Sequence, residues 1–191
     1  MHRLVVLLVA AASAAALGAC SGGGSALNFG GSAPTSVIIT VVGPSNIARV
    51  IPGGSLPLSA IAVTGSQNGV NSNNGFIWSA ALTTGGQYVA DTLGTMKPCA
   101  SVQMTKAGVT TPYTADFGIY IAIDPTNESN IIFLPPTILP PPAGATLTTN
   151  YPYCVTVSAQ AIKFNSGGTT TPFGTPGTIV VAVPDPQNPL Q

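Results

Sequence analysis

The sequence predicts an all-β chain folded as an antiparallel β-sandwich. Three observations carry that expectation. Apolar residues recur at every second position in several short runs, no stretch holds a helical period, and the runs are separated by Gly, Asn and Pro rather than by helices. Short strands joined directly by turns build sandwiches, whereas a parallel sheet needs crossover helices between its strands.

The strands follow in chain order. Val37, Ile39 and Val41 form the buried side of the first. Leu56, Leu58, Ala60 and Ala62 form that of the second, with Pro57 on the opposite face marking an edge or a bulge. Phe76, Trp78, Ala80 and Leu82 share one parity in the third. Phe117, Ile119, Ile121 and Ile123 alternate with Gly118, Tyr120, Ala122 and Asp124, which predicts a one-sided strand with Tyr120 facing out. Val155, Val157, Ala159 and Ala161 mark another, and Ile179, Val181 and Val183 the last. Turn chemistry lies between them at Pro52 to Gly54, Asn68 with Gly69, Asn73 to Gly75 and Asn165 to Gly168. Five prolines between Leu134 and Pro142 predict a stiff, extended surface connection, because proline cannot donate to a ladder.

Ahead of this body stand Arg3, an apolar run from Leu4 to Leu17, and the sequence Leu17, Gly18, Ala19, Cys20. The run is too short to span a bilayer as a helix but suits an export signal. The four residues that close it resemble a bacterial lipobox. The resemblance implies cleavage of a signal peptide, residues 1–19, and a thioether-linked acyl anchor, palmitate among its chains, on Cys20. Residues 20–35 are then the lipidated Cys and a Gly/Ser-rich tether, and residues 36–191 the sandwich. As a random coil the fourteen residues Ser21 to Pro34 reach about 20 Å, enough to hold a domain clear of lipid headgroups. Ser21 after the lipidated Cys is similar to lipoproteins sorted to an outer membrane.

Removing 19 residues from 191 leaves 172, enough for a sizeable core. The signal takes Arg3 with it, so four cations (Arg49, Lys97, Lys106, Lys163) face five anions (Asp91, Asp116, Asp124, Glu128, Asp185), a net charge of −1. Four scattered cations exclude a nucleic-acid partner, which needs a cluster. Charged residues make up only 5% of the chain, so Ser, Thr, Asn, Gln, Gly and Pro must build the surface. Such a surface suits a protein held at a membrane or in an assembly, where charge repulsion is less needed for solubility.

With Cys20 committed to lipid, Cys99 and Cys154 remain in an oxidising compartment, and a disulfide between them is expected. Cys154 alternates with Thr156 and Ser158, and Cys99 with Ser101 and Gln103. Both leave the apolar face, which predicts a staple near the surface, tying the inserted middle segment to the penultimate strand, rather than a bridge through the core.

The only histidine is His2, and it departs with the signal. That excludes Ser-His-Asp and Cys-His catalysis and histidine metal sites from the mature chain. A Ser-Lys pair through Lys97, Lys106 or Lys163 is the nucleophilic option left, though solvated surface lysines are the simpler reading. Asp116 and Asp124 bracket a strand that would hold them about 26 Å apart, too far for paired-carboxylate chemistry. Asp124 and Glu128, with Asn130, share a turn and offer oxygens to Ca²⁺, but the spacing is not that of an EF-hand and an ordinary polar turn is preferred. No metal site and no cofactor beyond the covalent lipid is expected. Trp78 shares parity with Phe76, Ala80 and Leu82 and reads as core rather than as a sugar platform. Tyr120 and Phe173 are the candidate exposed aromatics for binding, Phe173 from the long loop before the last strand.

Four stretches, Val37 to Pro44, Gly53 to Ala60, Phe76 to Ser79 and Tyr153 to Ala159, together resemble bacterial Ig-like domains of surface and secreted proteins. The resemblance covers Ser36 to Leu82 and Tyr153 to Val183, and implies an Ig-like sandwich. Lys97 to Asn150 exceeds a minimal module, so this middle segment is either an insertion with its own hairpin or part of a variant sandwich. Pro152 stands where a tyrosine corner would place Tyr, which departs from the strict immunoglobulin framework. The expected function is a non-enzymatic, membrane-tethered structural or interaction module of the cell envelope, with an envelope protein or polysaccharide as partner. The alternative is a carbohydrate-binding module at the cell surface.

Overall fold

The computed structural model describes residues 36–44, 46–63, 69–70, 75–164 and 168–187. The expected signal and tether, Cys20 included, and the turns at Asn68, Asn73–Asn74 and Asn165–Gly167 lie outside the described residues. The chain forms β1 (Ser36–Val41), β2 (Leu56–Val63), β3 (Gly69–Val70), β4 (Phe76–Thr83), β5 (Gln87–Val89), β6 (Met96–Pro98), β7 (Val102–Lys106) and β8 (Val109–Pro112). A 3₁₀ turn (Gly118–Tyr120) precedes β9 (Ile121–Ile123), β10 (Asn130–Phe133), β11 (Ala145–Thr149), β12 (Tyr153–Phe164), β13 (Thr170–Pro172) and β14 (Gly177–Val183). The fold is all-β and its sheets are antiparallel, in a sandwich-like arrangement.

Two sheets make the layers. The first runs β1-β2-β10-β9, with β3 paired to the end of β2. In the second, β12 lies between β14 and β4: Val157, for example, is opposite both Ile179 and Ala80. The inward side chains are those the alternation selects, with Val37, Ile39, Leu56, Leu58, Ile131 and Phe133 from one sheet packing in one core with Trp78, Leu82, Val155, Val157, Val181 and Val183 from the other. Burying a branched side chain of this kind contributes about 1.5–3 kcal/mol, which is what holds the layers together.

Both outer edges of the second sheet are closed by short backbone contacts. Ala182 N–H donates to Ala48 O at 2.9 Å and Val50 N–H to Ala182 O at 3.1 Å on the β14 side. Leu82 N–H donates to Ala115 O at 3.0 Å and Phe117 N–H to Ala80 O at 2.7 Å on the β4 side. The backbone groups engaged in these contacts are withdrawn from pairing with other chains.

The structure corrects three expectations. Pro57 marks neither an edge strand nor a bulge, because β2 is interior, flanked by β1 and β10. Its carbonyl accepts from Val42 N–H at 2.9 Å, so its missing donor falls on the same side, just where β1 ends. Position along the ladder, rather than the place of the strand in the sheet, makes proline tolerable there.

The strand expected from Phe117 to Ile123 is broken. Asp116 Oδ1 accepts from Gly118 N–H at 2.7 Å and Tyr120 N–H donates to Phe117 O at 2.9 Å, so local bonds replace the ladder over this stretch. Phe117 is buried while Ile119, of the same parity, is 82% exposed. Only Ile121–Ile123 pairs, with β10, and the extended path assumed between Asp116 and Asp124 does not exist.

The middle segment proves to be both things at once. It carries its own piece, the sheet β11-β7-β8, and it also supplies β9 and β10 to the first main sheet. The proline-rich connection has no strand, as expected, but it is packed as well as extended: Pro135 and Leu139 are buried, and Pro140 O accepts the Tyr113 hydroxyl at 2.9 Å.

Candidate functional site

Cys99 and Cys154 form a disulfide, with Cα atoms 5.6 Å apart and a sequence separation of 55. It joins the segment after β6 to β12 on the face away from the main core, as parity requires. It is not near the surface, however. Cys154 is fully buried, and both cysteines pack with Tyr88 and Ala182 in a second, smaller cluster. The β5–β6 hairpin brings Tyr88 into the cluster with both cysteines, a non-local placement that alternation within one strand does not encode.

Neither candidate binding aromatic is a free platform. Tyr120 sits at the end of the 3₁₀ turn, partly buried against the core, its ring centroid 5.5 Å from that of Phe117. The break in the expected strand rotates it inward. Phe173 also packs on the core, and its carbonyl accepts Gln160 Nε2 at 2.6 Å. Trp78 is core, and its Nε1–H donates to Glu128 O at 2.9 Å, tying β4 to the turn before β10. Every aromatic side chain described is buried or half-buried.

The Asp124 turn is an Asx-type turn. Asp124 Oδ1 accepts from the Thr126 hydroxyl at 2.7 Å and from Thr126 N–H at 2.8 Å, and these bonds hold its carboxyl below the usual carboxylate range. One oxygen is thus already committed to the turn. Among the described residues no group of three or more His, Cys, Asp or Glu converges as a metal site. Lys97 and Lys106 are exposed.

The outer faces of the sandwich present the remaining features. On the second sheet, Ser79 lies opposite Ser158, and the hydroxyls of Thr83 and Thr156 are 2.6 Å apart. A shallow concavity of about 560 Å³ covers this hydroxylic face, with Asp116 on its rim. On the first sheet, register aligns Pro57, Ile132 and Ala122 in one row across the strands, and the Val42–Pro57 hydrogen bond extends it. A groove of about 400 Å³ follows this row, and a second concavity of similar size shares Val42 and Pro57 with it and includes Arg49 in its wall. Large apolar side chains are exposed here, Val42 at 50% and Ile132 at 43%, while Asp124 and Asn130 also line the groove.

Alternation read for its core parity overlooks this face. The available signal was a strand apolar on both parities: Ile131, Ile132 and Phe133 run without interruption, and Ile38 and Ile61 lie opposite the core residues of their own strands. No protein-family model matches the chain, and no curated protein sequence matches it.

Proposed function

We propose that the chain is a non-enzymatic cell-envelope lipoprotein: an Ig-like sandwich held outside the cytoplasm by an acylated Cys20, serving as a structural or interaction module at the outer membrane or cell surface of a bacterium. The observation that carries this reading is the Cys99–Cys154 disulfide. Buried disulfides persist in oxidising compartments and are rare in the cytosol, so the bond agrees with an export signal ending at Cys20. The sandwich, with backbone contacts on both edges of its second sheet, supports a durable scaffold, and its charge-poor surface supports work beside a membrane.

The carbohydrate reading needs coplanar exposed aromatics, and the described aromatics offer none, so the tethered module is preferred. Replacing Cys20 by Ala is expected to move the protein from the membrane to the soluble extracytoplasmic fraction, with a matching loss of acyl mass from the amino terminus. Continued fractionation with membranes would overturn the anchor.

A further inference from the structure

Cys154 is buried on a face of the sandwich that is otherwise open. It lies on the outward side of β12, in the row Thr83, Cys154 and Ala182 across β4, β12 and β14. Outward neighbours on the same sheet face solvent, with Ser79, Ala81 and Thr178 exposed, whereas Cys154 and Ala182 are 0% exposed. The cover over that one row is the segment that carries Cys99 together with the β5–β6 hairpin before it. Tyr88 of the hairpin is the only large side chain among the buried members of the cluster that holds Cys99, Cys154 and Ala182.

The hairpin is lightly joined to what it covers. From Thr84 to Pro98, Tyr88 is the single buried residue. The two strands pair only with each other, and among the described residues the hydrogen bonds of residues 87–98 stay within the hairpin. Ala90 N–H donates to Thr95 O at 2.8 Å, and Asp91 Oδ1 accepts from the N–H groups of Leu93 and Thr95 at 3.0 Å each. The chain leaves β4 through Gly85 and Gly86, both at positive φ, 82° and 95°. It returns at Cys99, whose N–H donates to Gly86 O at 3.0 Å. Two adjacent glycines at the base supply a pivot. A segment with one buried side chain and self-contained hydrogen bonds opens at lower free energy than the sheet beneath it.

We propose that the β5–β6 hairpin is a lid, latched by Tyr88, that gates the Cys99–Cys154 disulfide to thiol–disulfide exchange with a dithiol reductant. Closed, the lid denies an attacking thiolate its approach to either sulfur, and exchange requires that approach. Open, it leaves the bond on the solvent side of β12. One thiolate of the dithiol then attacks a sulfur, forms a mixed disulfide and expels the other cysteine as a thiolate. The second thiol of the reductant breaks the mixed disulfide, so that two electrons and two protons pass to Cys99 and Cys154 and the reductant leaves as a disulfide. Loss of the bond unties the far end of the hairpin from β12 and leaves Tyr88 as its hold on the sheet. The main core lies on the other face of β12, with Val155 and Val157, so the lid moves without opening it.

The test exposes the oxidised full chain to dithiothreitol in native buffer, at a series of low urea concentrations, traps released thiols with iodoacetamide and reads alkylation of Cys99 and Cys154 by mass. Reduction is expected to show a urea dependence well below that of global unfolding. Tyr88→Ala is expected to speed it roughly tenfold to a hundredfold, the burial of one large side chain read as an opening equilibrium, while Tyr88→Phe, which keeps the ring, stays near the parent rate. A urea dependence equal to that of global unfolding would overturn the lid, since only the unfolded chain would then meet the reagent. Equal rates in the parent and in folded Tyr88→Ala would overturn the latch and the lid with it. The urea series on the unaltered chain decides the matter even where Tyr88→Ala fails to fold.

Discussion

Gly177 shows how one missing atom fixes the approach of the two sheets. A Cβ built there would lie 2.5 Å from Val37 O and 3.1 Å from Val37 Cγ1, so β14 begins against the backbone of β1 with no room for a side chain. The neighbouring backbone bond, Val37 N–H to Thr175 O at 3.1 Å, holds that approach. Gly177→Ala is expected to push β1 away and destabilise the fold by about 1–3 kcal/mol, the usual cost of overpacking. Chemical denaturation of the variant checks this, and an unchanged midpoint would mean that β1 moves freely. Nothing in the sequence around Gly177 distinguishes it from a turn glycine, because the atom it avoids belongs to a residue 140 positions away. By contrast, the inward placement of Trp78 was legible from its neighbours at every second position.

Among the elements, the β7–β8 hairpin carries an evident local conflict. Its two-residue turn holds Ala107 at φ 49° and Gly108 at φ 78°, and Ala107 is the one non-glycine with positive φ among the described residues. A two-residue hairpin turn with positive φ at both central positions prefers Asn-Gly, because Asn tolerates the left-handed region better than Ala. Ala107→Asn is therefore expected to stabilise the protein by about 0.5–1 kcal/mol, read as a rise in the thermal midpoint. A fall would show that the turn is held by contacts outside the hairpin. The same comparison explains which strands the sequence makes legible. β1, β2, β4, β12 and β14 have long alternating sides and were expected where they stand. β9 and the 3₁₀ turn were not, because Asp116 and Gly118 bond locally and end the extended run. β10 was missed because it is apolar on both faces and has no period to detect.

For the molecule as a whole, the groups with shifted pKa values are carboxyls moved down and phenols moved up. Residues 20–191 contain no histidine, the side chain whose charge ordinarily changes between about pH 5 and 8, and stability is expected to be flat there. Burial pushes the Tyr153 phenol far above its usual value, and burial likewise raises Tyr113 and Tyr151. A group whose folded pKa is raised lends stability that is complete below the unfolded value, about 10, and is lost as pH rises beyond it. Stability is thus expected to fall above about pH 10, and Tyr153→Phe should lessen that fall. Asp91 and Asp124 have lowered pKa values, through Thr95 and Thr126 respectively, so their contribution is present above about pH 4 and is lost on acidification. Both remain partly open to solvent, which keeps that acid effect small. A midpoint that changed strongly between about pH 5 and 8 would contradict this picture.

Short-range pattern was enough to specify an all-β chain, its core parity, the pairing of Cys99 with Cys154 and the side of β12 on which that bond lies, because alternation and cysteine number are properties of neighbours and of composition. The depth of the disulfide beneath Tyr88, the inward turn of Tyr120, the capture of β9 and β10 by the first sheet, and the apolar row from Val42 to Ala122 belong to tertiary structure alone. Each depends on what a distant segment places over or beside a strand, and a period of two residues carries no information about that.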